Sequence, residues 1–131
     1  MKWKSKGKKK TYSIKRFFNS FIYAGSGIKS AIKTEQNLLL DLICGIVAIT
    51  GGILLKISMI ELAIIIIVIG LVISIELINT AIEYVVDMAM PEVHPLAKLS
   101  KDIAAGAVLI TTIVALIVGL IIFLPKIIAL F

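Results

Sequence analysis

The chain has 131 residues, of which 60% are hydrophobic, a mean hydropathy of +1.08 and a formal net charge of +6. Soluble domains contain roughly 45–50% apolar residues, so this composition excludes a soluble globular protein. It predicts a single all-α integral membrane domain over residues 1–131. The only cysteine, Cys44, excludes an intrachain disulfide bond.

The N-terminal third is basic and amphipathic. Residues 1–11 form a lysine-rich arm that leads into mixed sequence rather than an apolar core, so we interpret it as mature protein and not as a signal peptide. Residues 12–34 predict an amphipathic helix that lies on the membrane surface. Its apolar residues recur at helical spacing, namely Ile14, Phe17, Phe18, Phe21, Ile22, Ile28 and Ile32.

Three long apolar segments follow, and each is long enough, or nearly so, to cross a hydrocarbon core of roughly 30 Å as a helix. We predict the transmembrane helices at 38–56, 60–87 and 101–125. Because Pro91 and Pro95 disfavour regular structure, residues 88–100 are expected to form a polar loop. Ser100 is then a plausible N-cap for the third span, and a lysine at a helix N-terminus suits phosphate binding.

The distribution of basic residues predicts the orientation. Ten of the fourteen Lys and Arg residues lie between Lys2 and Lys33. The positive-inside rule therefore places the N-terminus and the loop at 88–100 in the cytoplasm. Lysines beside a membrane usually contact anionic lipid, so we do not expect this arm to bind nucleic acid.

The second predicted span carries an acidic face. At about 100° per residue, Glu76, Glu83 and Asp87 fall within roughly 40° of one another, and Asn79 lies beside them. A charged group inside a bilayer costs roughly 2.5–3.5 kcal/mol, so such groups usually have a role. This face suits a cation, or a substrate that arrives with cations.

The depth of the acidic face favours an enzyme over a pore. Counted from Leu62, Glu76 lies about 21 Å along the helix and Glu83 about 31 Å, which is the inner leaflet and the cytoplasmic boundary. A lipid head group and a cytosolic solute could react there. The alternative is a small cation-coupled transporter or channel subunit, which needs polar groups further out, where only Ser74 is available.

Two segments resemble the signature of the prokaryotic diacylglycerol kinase family, whose Gram-positive members act on undecaprenol. They run from Glu76 to Asp87 (ELINTAIEYVVD) and from Lys98 to Leu109 (KLSKDIAAGAVL). The resemblance implies an ATP-dependent lipid kinase of the bacterial plasma membrane. It also implies a homotrimer with active sites between neighbouring subunits.

The resemblance also implies roles for individual residues. Glu76 matches the catalytic base, and Asn79 belongs to the same motif. Glu35 and Glu83 match the carboxylates that bind the Mg²⁺ carried with ATP. Nucleotide-site positions are matched by Arg16, Tyr23, Asp87, Lys101 and Asp102, with Glu83 also close to the nucleotide. Gln36 departs from the family, which often has a basic residue there.

The lipid substrate is less defined than the reaction. Diacylglycerol and undecaprenol each present one primary hydroxyl at the interface. The richness in Ile and Lys, the long basic arm and the resemblance to Gram-positive members favour undecaprenol, with diacylglycerol as the alternative.

Overall fold

A computed structural model describes residues 12–131, and within that range the regular secondary structure is entirely helical. The predicted basic arm at 1–11 lies outside the described residues. The helices are α1 (Ile14–Thr34), α2 (Gln36–Leu54), α3 (Met59–Ala89) and α4 (Pro95–Ile128). The three later helices are long and apolar enough to cross a membrane, which confirms the prediction of an all-α protein with three apolar helices.

Helix α1 presents an uncovered apolar side. Phe17 packs edge-on against Phe18 and Phe21, with ring centroids 5.8 and 5.1 Å apart, and all three rings are largely exposed. Only Ala31 of this helix is buried. An apolar side without protein cover agrees with an amphipathic helix, and its position on the membrane surface remains a prediction.

Helices α2 and α3 are joined by a tight turn. Lys56 has a positive φ of 54°, and Ser58 then starts α3 with a capping box in which Ser58 and Glu61 exchange side-chain and backbone hydrogen bonds. The two helices approach closely at Gly45, where a Cβ atom would lie 2.9 Å from Cγ2 of Ile69. Glycine is needed there because of space and not because of its φ angle.

The connection between α3 and α4 is shorter than predicted. Helix α3 continues to Ala89 and α4 begins at Pro95, so much of the segment 88–100 is helical and not loop. The ring of Pro95 is tolerated because the first N–H groups of a helix have no intrahelical partner. Nδ1 of His94 accepts a hydrogen bond from the backbone N–H of Leu96 (3.1 Å) and caps the helix. Ser100, predicted to be the cap, lies inside α4.

Few side chains are buried within one subunit. Leu38 is the only large side chain that is fully buried among residues 12–131, whereas most Ile, Leu and Val side chains of α2–α4 are exposed. Apolar exposure on this scale suits helices surrounded by lipid or by further subunits. The antiparallel order of α2, α3 and α4 brings the α1–α2 junction to the end of the bundle that carries residues 90–94.

Candidate active site

Helix α3 turns one stripe of side chains towards the other helices. The buried residues are Ile65, Val72, Glu76 and Thr80, which recur at intervals of seven and four and so share one face. Glu76 is only 4% exposed. An ionisable acid in such a place is a strong candidate for chemistry, because burial of a charge needs compensation.

Two polar atoms on this face lack partners. Oε2 of Glu76 and Oδ1 of Asn79 are buried and accept no hydrogen bond from any residue that the structure describes. Buried polar atoms are nearly always paired, so an unpaired one needs an explanation. Here the two atoms lie within one turn of each other on α3, which fits a site that is completed by a substrate.

Acidic side chains from two helices and a helix junction surround Glu76. Asp41, Glu83 and Glu35 are close enough to interact electrostatically with it. The amide Nδ2 of Asn79 donates a hydrogen bond to Oε1 of Glu83 (3.0 Å), which orients that carboxylate. Like charges repel at such separations, so this acidic cluster is suited to a cation or a cation-bearing ligand.

The acidic cluster does not form a metal cage by itself. Within residues 12–131, no group of three or more His, Cys, Asp or Glu side chains is arranged to hold a metal ion. Mg²⁺ in phosphoryl-transfer enzymes needs only one or two carboxylates, since phosphate oxygens and water complete its coordination. The absence of a larger cluster is therefore compatible with the predicted metal ligands Glu35 and Glu83, whose role stays a prediction.

Helices α3 and α4 meet at an ion pair beside the acids. Nζ of Lys101 lies 2.5 Å from Oδ1 of Asp87, and it also interacts electrostatically with Glu83. Because α4 starts at Pro95, Lys101 lies in the helix interior and not at its N-terminus, as the sequence had suggested. Lys101 can therefore act as a point charge towards an anion, without help from free helix N–H groups.

Other predicted site residues have exposed side chains. Asp102 pairs with Lys98 one turn earlier on α4, and both side chains are mostly exposed. Arg16 and Tyr23 are exposed on α1. Among the described residues, Tyr23 forms no hydrogen bond, and its contact with the nucleotide stays a prediction.

Sequence reasoning missed a contact at the α1–α2 junction. The hydroxyl of Tyr84 on α3 lies 3.0 Å from Oγ1 of Thr34 and 3.3 Å from Oε1 of Glu35. Tyr84 directly follows Glu83 in the motif, but a contact about fifty residues away along the chain leaves no signal in periodicity. The contact links Glu35 to α3, the helix that carries Glu76, Glu83 and Asp87.

An apolar groove leads towards Glu76. It has a volume of about 460 Å³ and lies between α2, α3 and α4, with Asp41 as its only charged lining residue among those described. Ile65 and Val72 line it, and Val72 is one turn from Glu76 on the same buried stripe. A hydrocarbon chain in this groove could therefore bring a polar end near the buried acid.

Known proteins share this sequence pattern. The model of the family described as prokaryotic diacylglycerol kinase matches residues 22–123. The chain is 45% identical to the undecaprenol kinase of Bacillus subtilis over 113 residues, which cover 86% of this chain and 92% of that protein. It is 41% identical to a diacylglycerol kinase of Synechocystis, covering 85% of this chain and 64% of that protein. It is 31% identical to the diacylglycerol kinase of Escherichia coli K12, covering 82% and 88%. The chain therefore belongs to the prokaryotic diacylglycerol kinase family of membrane lipid kinases.

Proposed function

We propose that this lipid kinase transfers the γ-phosphoryl group of ATP to the hydroxyl of undecaprenol. The observation that carries the proposed chemistry is the buried, unpartnered carboxylate oxygen of Glu76, one turn from the apolar groove. The choice of lipid is supported by the 45% identity to an undecaprenol kinase. The product, undecaprenyl phosphate, would supply the lipid carrier for cell-wall synthesis.

Glu76 is the proposed general base. The lipid hydroxyl would lie against its carboxylate, while the hydrocarbon chain occupies the groove that Val72 lines. The hydroxyl oxygen forms a bond to the γ-phosphorus, the bond from that phosphorus to the bridging oxygen breaks, and ADP leaves with the electron pair. Glu76 takes the hydroxyl proton. Asn79 orients the neighbouring carboxylate of Glu83 through its hydrogen bond to Oε1.

Glu35 and Glu83 are the proposed ligands of Mg²⁺. When bound, the ion neutralises phosphate charge that the acids would otherwise repel. Lys101, held by Asp87, contacts the phosphates directly. Asp102 completes the nucleotide site from α4, and Arg16 and Tyr23 approach it from α1.

The site is proposed to face the cytoplasm, where ATP is available. The support is that ten of the fourteen basic residues lie between Lys2 and Lys33. We further propose a homotrimer with sites between subunits, as membership of the family implies, and the exposed apolar surface of one chain is compatible with it. Light scattering of the detergent-solubilised protein tests this assembly, and a mass of one or two subunits would contradict it.

Diacylglycerol is the second candidate substrate. It also presents a primary hydroxyl at the membrane interface, and the relatives from Synechocystis and Escherichia coli are diacylglycerol kinases. The reaction and the proposed residue roles are the same for both lipids. Only the lipid-binding groove would distinguish them.

The experiment uses purified protein in mixed micelles with labelled ATP, Mg²⁺ and either undecaprenol or diacylglycerol. We expect label in undecaprenyl phosphate, and we expect Glu76→Gln to abolish it while ATP binding stays largely intact. Preference for diacylglycerol would overturn the choice of lipid and keep the chemistry. Equal loss of transfer and ATP binding in Glu76→Gln would contradict its role as base.

A further inference from the structure

Glu35 occupies an unusual place in the fold. It is the single residue between α1 and α2, and its backbone is extended, with φ −107° and ψ 108°. A side-chain oxygen at such an N-cap position can accept a hydrogen bond from the first N–H groups of the following helix. The Glu35 side chain makes no such cap. Its carboxylate is therefore free for another partner.

That partner is the hydroxyl of Tyr84. A carboxylate only accepts hydrogen bonds, so in the contact of 3.3 Å the phenol donates its one proton to Oε1 of Glu35. The hydroxyl of Thr34, 3.0 Å from the phenol oxygen, then donates to Tyr84. Thr34 alternatively donates to the carbonyl of Ser30 at 3.1 Å. Because the Thr34 hydroxyl has one proton, it can donate either to Tyr84 or to the carbonyl of Ser30, and the two hydrogen bonds compete.

Each of the two carboxylates proposed to bind Mg²⁺ accepts one hydrogen bond from a side chain of α3. Asn79 donates to one oxygen of Glu83, and Tyr84 donates to one oxygen of Glu35. Both donors are neutral side chains on α3, so neither removes the negative charge that attracts a cation. Each bond leaves the second oxygen of the carboxylate for a ligand.

We infer that Tyr84 is a positioning residue, whose hydroxyl fixes the carboxylate of Glu35 where it binds the cation carried with ATP. The inference rests on the proposed function of Glu35. It adds a residue that sequence periodicity gave no reason to choose. Since Tyr84 belongs to α3 and Glu35 joins α1 to α2, the contact also links the α1–α2 junction to α3.

The test is Tyr84→Phe, which removes the hydroxyl and keeps the ring. Binding is measured with Mn²⁺ in the presence of a non-hydrolysable ATP analogue, by the loss of the electron paramagnetic resonance signal of free Mn²⁺. We expect affinity for Mn²⁺ to fall about three- to tenfold, which is less than for a shorter, partly buried bond to a carboxylate, because this contact is 3.3 Å long and exposed. The Mg²⁺ concentration for half-maximal turnover should rise by the same factor, with kcat changed less than about twofold. If Tyr84 were only structural, the variant would lose kcat and thermal stability, and its Mg²⁺ requirement would not change selectively.

Two variants make the result decisive. Tyr12→Phe is the matched control, because Tyr12 is fully exposed, and it should change nothing. In Glu35→Gln, Mn²⁺ binding should weaken, and adding Tyr84→Phe should then have little further effect. Additive losses, or unchanged binding in Tyr84→Phe alone, would overturn the inference. Unchanged binding in Glu35→Gln would overturn it together with the proposed metal role of Glu35.

Discussion

Lys101 on α4 reaches across to Asp87 on α3, with 2.5 Å between Nζ and Oδ1, at the end of the bundle that holds the acidic cluster. A second lysine of α4 makes a similar crossing at the opposite end, where Nζ of Lys126 lies 3.8 Å from Oε2 of Glu61. The two α3–α4 ion pairs differ in what surrounds them. Within residues 12–131, a further acid, Glu83, interacts with the first pair, and none is found to interact with the second.

The two ion pairs predict that replacing lysine with methionine impairs activity at Lys101 but not at Lys126. Lys101→Met should reduce kcat/KM for ATP by about 100-fold or more, as expected when a charged group that contacts the transferred phosphoryl is lost. Steady-state kinetics with varied ATP at saturating lipid in mixed micelles measures the loss.

Lys126→Met is the matched control, since it also breaks a partly exposed α3–α4 ion pair. Such pairs contribute about 0–1 kcal/mol, so its stability and turnover should stay close to those of the unmodified protein. If both variants lost activity equally, Lys101 would be a structural contact between helices and not a phosphate ligand.

Because Glu76 is buried, we predict that replacing its carboxylate with an apolar side chain stabilises the protein. Leucine in its place would bury no unpaired oxygen, which relieves a cost of about 1–3 kcal/mol. We expect Glu76→Leu to raise the midpoint of thermal unfolding in detergent by about 4–11 °C while abolishing lipid phosphorylation. Scanning calorimetry measures the midpoint.

Glu61 lies on the same helix, but its carboxylate has partners, so we expect its replacement to lower stability. Its carboxylate accepts the backbone N–H of Ser58 at 2.7 Å and pairs with Lys126. Glu61→Leu should therefore lower the unfolding midpoint, because it removes the capping box. Lower stability in Glu76→Leu as well would indicate that Glu76 has a structural partner in the assembled protein.

Hydropathy and helical periodicity predicted much of this architecture. The long apolar runs identify three helices, because a backbone in lipid must satisfy its own hydrogen bonds. The face that joins Glu76 to Glu83 follows from the 3.6-residue repeat alone. The signature around Asn79 then pointed to the family, which the match over residues 22–123 confirms.

Contacts between elements could not be predicted in this way. The start of α4 at Pro95 was missed because a proline indicates either a loop or the first turn of a helix, and only the cap by His94 decides. The contact of Tyr84 with Glu35 depends on how α1 turns into α2 and packs beside α3. No local pattern encodes that packing.

Asn79 is predicted to act through Glu83. Asn79→Leu removes the donor to Oε1 of Glu83 and keeps a similar volume. A hydrogen bond to a charged group is worth about 1.5–3 kcal/mol, so the Mg²⁺ concentration for half-maximal activity should rise at least about tenfold. Magnesium titrations at fixed ATP measure the shift. A fall in kcat with an unchanged magnesium requirement would assign Asn79 to the lipid instead.

Close packing of α2 on α3 predicts opposite effects for two glycines of α2. A Cβ at Gly45 would lie 2.9 Å from Cγ2 of Ile69, a branched atom close to the backbone, whereas a Cβ at Gly51 would have no atom within 4 Å. Gly45→Ala should therefore destabilise the protein by about 1–3 kcal/mol through overpacking. Gly51→Ala should be neutral or stabilising by up to about 1 kcal/mol, because alanine favours the helix. Unfolding in mixed micelles with increasing denaturing detergent compares the two, and equal effects would mean that α2 and α3 are less closely packed than the structure indicates.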